Sequence, residues 1–417
     1  MEPKSESSDI YKSALLVAVA CVLQVAESAI PQPVPGLRLG LANAITLIAL
    51  VRMGFGCAME ITLLRTLLGS FIVGTFMSPG FLLSFTAGVA STAVMGFGWR
   101  LTRSGQLRGL SIVGVSILGA LAHNLTQLYL AYLLLIHNTG IFAFLPWLCI
   151  GAVATGWVTG LIAGQVCSKL EARVPVVGDP ASDVSALRLA SDRPGLGSAG
   201  VFVPADSLLH RLPAEIKLIA VCLLSLSMLI LRGPWFYAGA AGLLVFLLVL
   251  ARVSSGFVTA NIRRCILMLA VAFGVPAFCS PGGQVVWQWE FFRITSEGCR
   301  EGSILAGRIL WLVLLSSLLL RTTAPVQLGQ GLSRLLAPLR RCGVAVDRLA
   351  SIFSLSWSAL PLFGEIARQS LQRSGVRGVK DMGRLIPLAS EFITRFYLQA
   401  EVVFVTAPKL GQERRVG

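Results

Sequence analysis

Apolar runs of membrane-spanning length alternate with short polar or arginine-bearing breaks along most of this chain. About 20 helical residues cross a bilayer core, and hydrocarbon offers the backbone no hydrogen-bond partner, so each run must satisfy its own amides as a helix. The first half carries six such segments, at approximately 11–30, 37–52, 57–77, 80–98, 110–136 and 141–167. Pro31–Gly36, Arg52–Gly56, Ser78–Gly80, Arg100–Arg108 and His137–Gly140 separate them. Four more lie near 215–231, 235–251, 265–280 and 303–320, with an extracytoplasmic loop expected around 281–301. The expectation is an all-α polytopic membrane protein with about ten transmembrane helices in two bundles.

Composition excludes a water-soluble alternative. Only 13% of residues are charged and 55% are hydrophobic, with mean hydropathy +0.77, against about 25% charged in a soluble domain. The net charge of +15 does not point to nucleic acid, because the basic residues sit mostly between the apolar runs and no nucleic-acid-binding motif occurs. With the amino terminus inside, Arg52 and the cluster Arg100, Arg103 and Arg108 fall in cytoplasmic loops, and the opposite loops carry almost no Lys or Arg apart from Arg38. That positive-inside pattern places both ends of this half in the cytoplasm. The opening residues Met1 to Asp9 are polar and slightly acidic, without a basic leader, so the run after them reads as a permanent span. Nine cysteines are scattered without a C-x-x-C pair, which suits buried free thiols better than a metal site or disulfides.

Residues 169–209 are rich in Pro, Gly and Ser, the composition of a cytoplasmic linker. They divide the chain into 1–168 and 210–417. Beyond Arg321, Leu328, Leu332, Leu335, Leu336 and Leu339 share one helical face while Gln327, Gln330, Arg334, Arg340 and Arg341 largely lie elsewhere, an amphipathic rather than a spanning pattern. Apolar segments at 345–363 and 385–407 follow, with Arg368, Arg373, Arg377 and Lys380 between them.

Charged and polar side chains at membrane depth are costly and usually face a cavity or a partner. In the first half these are Glu27, Asn43, Thr46, Glu60, Arg65, His123, Asn124 and Gln127, with Arg38 near a span end. His123 and Gln127, four apart, and Asn124 and Gln127, three apart, neighbour one another on a helix. Two readings stand: hydrogen bonding between helices, worth about 0.6 kcal/mol on average in a membrane, or, for some of the set, lining a substrate cavity. Glu60 either pairs with Arg65 or sits near an interface. Gly156, Gly160 and Gly164 form a G-x-x-x-G-x-x-x-G run, a signal of close helix packing, either inside the first half or as a docking face for the second.

Two resemblances add to this reading. Pro35-Gly36-Leu37-Arg38-Leu39-Gly40-Leu41-Ala42-Asn43, Leu64-Arg65-Thr66-Leu67-Leu68-Gly69-Ser70 and the stretch from Gly114 to Gln127 resemble the Gx transporter family, also called heptaprenyl diphosphate synthase component I. The six-helix count looks like a substrate-binding S component of an energy-coupling factor importer. Such components dock through small residues in their first helix, often A-x-x-x-A, which Ala14 and Ala18 match. The second half resembles the T component of the same importer class, the cobalt transport protein family, through His210-Arg211-Leu212, Lys217-Leu218, Thr295-Ser296-Glu297-Gly298, Arg308, Arg321-Thr322-Thr323-Ala324-Pro325 and Pro387. Val376-Arg377-Gly378 resembles the family's first A-R-G coupling motif, whose arginine seats the membrane subunit on the ATPases. The second motif is altered: Ala407-Pro408-Lys409-Leu410-Gly411 stands in its place, and lysine lacks arginine's planar donor fork. The resemblance implies long cytoplasmic coupling helices at the C-terminal end, separate ABC-type ATPase subunits as partners, a small-molecule substrate, and a prokaryotic inner membrane with both termini cytoplasmic.

No G-x-x-x-x-G-K-[ST] loop occurs, so ATP would be used by partner subunits and no cofactor is expected on this chain. No two aspartates are adjacent, against the clustered carboxylates that a prenyl diphosphate synthase needs for magnesium, and neither a catalytic nor a metal site is expected. The leading expectation is an importer membrane subunit rather than an enzyme. The rivals are a noncatalytic membrane subunit of a prenyl diphosphate synthase and an ATP-independent secondary carrier.

Overall fold

A computed structural model describes residues 3–29, 40–73, 75–106, 109–136, 139–172, 208–231, 233–279, 282–289, 292–343, 345–374 and most of 386–398. The first half forms α1 (Pro3–Ala29), α2 (Leu41–Arg52), α3 (Phe55–Val73), α4 (Pro79–Arg103), α5 (Ile112–Ala131) and α6 (Leu145–Glu171). A π-helical turn, Tyr132–Ile136, prolongs α5, and a 3-10 turn, Thr139–Phe144, leads into α6. Helix starts follow local chemistry: the Ser78 hydroxyl accepts from the Phe81 amide ahead of Pro79, and the Ser111 hydroxyl accepts from the Gly114 amide. Each satisfies an amide that the first turn leaves open.

The second half forms α7 (Leu208–Arg211), α8 (Ala214–Ile230), α9 (Pro234–Leu250), α10 (Ser255–Cys279), α11 (Ser296–Thr322), α12 (Pro325–Leu336) and α13 (Val346–Ser374), followed by further helical residues within 386–398. Between α10 and α11 stands an antiparallel hairpin of β1 (Val285–Trp289) and β2 (Phe292–Thr295), where the sequence suggests only a loop. Helix α10 starts at Ser255, ten residues before the expected span, and bends by 63° between Arg263 and Cys265. Arg263 and Arg264, which precede the expected span, belong to the same helix.

Among the described residues, α3, α4, α5, α6 and α11 are long and apolar enough to cross a membrane, and the bent α10 adds a sixth when its two arms are counted as one span. This is an integral membrane protein, but the described helices do not reach ten spans. With 12 and 17 residues, α2 and α9 extend only about 18 and 26 Å at 1.5 Å per residue, short of the roughly 30 Å core.

Close approaches set the packing. A Cβ on Gly156 would lie 2.7 Å from Ile117 Cα and one on Gly160 2.6 Å from Val113 Cα, so these two glycines seat α6 against the α5 backbone; Gly164 faces open space. Gly298 and Gly302 do the same between α11 and α10, where added carbons would meet the Pro276 and Phe273 carbonyl oxygens. The principal apolar core is continuous through both halves, running from Val17, Ile45 and Leu68 to Leu218, Leu312, Leu328 and Ile352.

Candidate functional site

The first half brings a set of buried polar groups to the junction of α1, α2 and α3. Glu27, near the end of α1, is 5% exposed, and its carboxylate accepts from the Gly40 amide at 2.7 Å and the Leu41 amide at 3.2 Å. It thereby caps the start of α2, where Gly40 takes a left-handed φ of 78° and unpaired amides concentrate positive potential. On the first turn of α2, Asn43 Oδ1 accepts from Arg65 Nη2 at 2.6 Å. Arg65 is 7% exposed in the middle of α3, and its Nε is buried with no hydrogen-bond partner. Its main-chain oxygen accepts from the Cys21 thiol of α1 at 3.6 Å.

One helical turn from Asn43, Thr46 begins a hydroxyl chain: Thr46 to Thr62 at 3.2 Å, and Thr62 to Thr92 of α4 at 2.9 Å. The structure thus joins Asn43 and Arg65 directly, with the carboxylate of Glu27, from α1, at the start of α2 and Thr46 one turn farther along. Asn124 instead donates to the Leu148 carbonyl of α6 at 2.9 Å, a bond between helices, with His123 and Gln127 half-buried beside it on α5. Arg38, Val376, Arg377, Gly378 and Lys409 lie outside the described residues.

A second constellation joins the two halves. Helix α13 packs along α1 and touches α3. Ala14 and Ala18 are buried, and the Ala14 carbonyl accepts from the Ser356 hydroxyl at 2.9 Å. Arg348 Nε straddles the carboxylate of Glu60, 2.9 Å from Oε1 and 3.2 Å from Oε2, while its Nη2 donates to Cys57 Sγ at 3.6 Å. Glu60 therefore faces an interface and does not pair with Arg65. Burial lowers the Arg348 pKa, and the hydrogen bond and charge of Glu60 outweigh that effect, leaving it above the ordinary value. Phe353 sets the edge of its ring against Phe71 of α3, at 6.2 Å between centroids. Gly329 of α12 makes room for that ring, since a Cβ there would lie 2.4 Å from it. Farther along, Lys169 of α6 donates to the Ser390 hydroxyl at 3.2 Å.

Two buried cations in the second half have roles that the sequence does not expose. Lys217, 6% exposed, donates to the Thr322 carbonyl at 2.9 Å, the Thr323 hydroxyl at 3.3 Å and the His210 carbonyl at 3.4 Å. It closes the end of α11 and ties it to α7. Arg308, 5% exposed, donates from Nε to the Met228 carbonyl at 3.0 Å and from Nη2 to the Leu229 carbonyl at 2.7 Å, closing the end of α8. Open carbonyls at a helix end inside a membrane would otherwise stay unsatisfied. Arg308 lies 80 residues from Met228 and Lys217 lies 105 from Thr322, separations that leave no local pattern to read.

Comparison with known proteins finds two separate matches along the chain. Residues 16–166 match the family described as heptaprenyl diphosphate synthase component I, and residues 205–406 match cobalt transport protein. The chain is 30% identical over 210 residues to the energy-coupling factor transporter transmembrane protein EcfT of Bacillus selenitireducens, covering 48% of this chain and 78% of that one. The protein of the same name from Brevibacillus brevis is 27% identical over 226 residues, covering 52% and 85%. That of Bacillus subtilis is 25% identical over 222 residues, covering 51% and 84%.

Proposed function

Since the chain belongs to the energy-coupling factor transporter transmembrane protein family, we propose that it fuses two roles of such an importer in one polypeptide. The first half, 1–168, captures a small molecule in the polar junction of α1, α2 and α3. The second, 210–417, transmits ATP-driven movement of separate cytoplasmic ATPase subunits to it, and 169–209 links them. The observation that carries this reading is the seam: α13, which runs toward Val376-Arg377-Gly378, packs on α1 and holds Glu60 of α3 through Arg348. A helix fixed to the capturing half at one end and leading to an ATPase contact at the other is a mechanical link between the two. ATP binding and hydrolysis would supply the differential free energy that alternating exposure of one site requires.

In this arrangement Ala14 and Ala18 let α13 approach α1, Arg377 enters a groove on an ATPase and pairs with carboxylates or helix C-termini there, and Lys409 takes the place of a second coupling arginine. Gly156 and Gly160 serve packing within the capturing half. Both termini face the cytoplasm. The match of the first half to heptaprenyl diphosphate synthase component I supports a second reading, a noncatalytic membrane subunit of a prenyl diphosphate synthase.

Affinity purification of the full chain from its native membranes, comparing wild type with Arg377→Glu, tests both. Recovery of ABC-type ATPases with wild type and their loss with the variant supports the importer. Failure to recover any ATPase under mild, nucleotide-containing conditions overturns the coupling role, and recovery of a prenyl synthase instead puts the second reading first.

A further inference from the structure

Among the described residues, Arg65 has no anion to itself. Between Glu27 and Glu171 the sequence holds a single acidic residue, Glu60. Glu60 is engaged by Arg348, and Glu171 lies 3.7 Å from Arg52. Glu27 is near enough for its charge to act on Arg65, but both its oxygens receive backbone amides at the start of α2. Its negative charge therefore also answers the positive end of a helix, equivalent to roughly half a charge. The junction is left with a surplus of positive potential. Among the described residues, the one side-chain acceptor of Arg65 is the neutral amide oxygen of Asn43, and Nε is buried without any.

A guanidinium presents five donors in a planar fork whose best partners are carboxylates and phosphates. One helical turn along α3, Gly69 makes room for Gln24 of α1, since a Cβ there would lie 2.9 Å from the Gln24 amide, and Gln24 Oε1 is likewise buried without a partner. Two unsatisfied polar groups thus face the α1–α3 contact within one turn, whereas the nearby hydroxyls of Thr46, Thr62 and Thr92 bond one another and that of Thr66 donates to the Thr62 carbonyl. Buried polar groups in folded proteins are nearly always paired, and a site awaiting its ligand is one place where they are not.

Building on the reading of the first half as the capturing half, we propose that the captured molecule carries an oxyanion, a carboxylate or a phosphate, which Arg65 receives through Nε. Gln24 meets a neighbouring polar group of the same molecule. Asn43 and Glu27 position the guanidinium and the α2 terminus around it.

The test uses the full chain in lipid nanodiscs and follows its thermal unfolding midpoint with acetate, inorganic phosphate and pyrophosphate, against acetamide and choline at matched ionic strength. The proposal expects at least one oxyanion to raise the midpoint saturably in wild type, with apparent affinity at least tenfold weaker in Arg65→Gln and partly retained in Arg65→Lys. Should Arg65→Gln fail to fold, Arg65→Lys and the anion-against-neutral comparison on wild type decide. An oxyanion effect equal in wild type and Arg65→Gln overturns the proposal, as does a response to the neutral or cationic probes alone, or none to any probe. Native mass spectrometry of the same nanodiscs separates the two levels. A co-purified molecule lacking an acidic group sinks the oxyanion and leaves capture standing, whereas no bound molecule and no responsive probe sinks both.

Discussion

The Arg348–Glu60 pair gives the sharpest quantitative handle on the seam between the halves. Its side chains are 18% and 22% exposed, so neither limiting case of ion-pair energetics fits. An exposed pair contributes about 0–1 kcal/mol, and breaking a fully buried one costs about 3–5 kcal/mol. A hydrogen bond to a charged group contributes about 1.5–3 kcal/mol, and the contact of Nε with both carboxylate oxygens places this pair near 2 kcal/mol. Glu60→Gln and Arg348→Met should each speed amide exchange in the peptide covering α13 by about 30-fold, the factor equivalent to 2 kcal/mol of opening free energy. The double variant should exchange no faster than either single one, because both remove one interaction. Arg340→Ala is the internal control. Its pairing with Asp347 at 2.5 Å is 52% and 78% exposed, so its loss should change exchange less than threefold. Hydrogen–deuterium exchange of the full chain in nanodiscs reads all four variants against wild type. Singles within threefold of wild type, or a double variant with multiplied effects, would refute the assignment of seam stability to this pair.

Ser356→Ala should loosen α13 from α1 by about 0.6–1 kcal/mol, since one buried hydroxyl bond to the Ala14 carbonyl is lost in a membrane setting; exchange of the same peptide checks it. Gly160→Val drives a side chain into the Val113 backbone, which cannot rotate away, and should cost about 1–3 kcal/mol, seen as a lower unfolding midpoint. Gly329→Leu should displace the Phe353 ring and lower ATPase recovery without touching the polar junction, as measured by the same affinity purification. Arg308→Met exposes the Met228 and Leu229 carbonyls to an apolar interior and should destabilise the second half by about 2–4 kcal/mol, with the earliest loss of exchange protection in α8.

What sequence reasoning could reach depended on range. Helices α3 to α6 were legible because each is a single apolar run with a capping serine or a basic break at its end, information held within a few residues. The amphipathic α12 was legible for the same reason: Leu328 is fully buried while Gln327 and Gln330 are exposed. The hairpin was within reach, since Val285-Val286-Trp287-Gln288-Trp289 and Phe292-Arg293-Ile294-Thr295 are β-prone runs two residues apart; Pro281, Gly282 and Gly283 ahead of them suggested a loop. The partners of Glu60, Arg308 and Lys217 were out of reach, because hydropathy registers a charge in a membrane helix only as a cost and says nothing of the distant carbonyl or guanidinium that offsets it. Within the polar junction, residue type singled out Glu27, Asn43 and Arg65 as candidates, but only the fold shows that Glu27 accepts from the α2 amides and that Arg65 donates to Asn43.

Because α1 and α13 belong to one polypeptide, their meeting is a unimolecular event. A tether holds its ends at an effective concentration on the order of millimolar, so the seam needs only modest intrinsic affinity to stay closed most of the time. That makes it tunable. If the closed form prevails about tenfold, a change of about 1.4 kcal/mol brings closed and open forms level, within the reach of one ion pair. Under the proposed fusion of roles, the same tether favours the first half encoded with it over a separate competitor, so cargo would be set largely when the gene is translated.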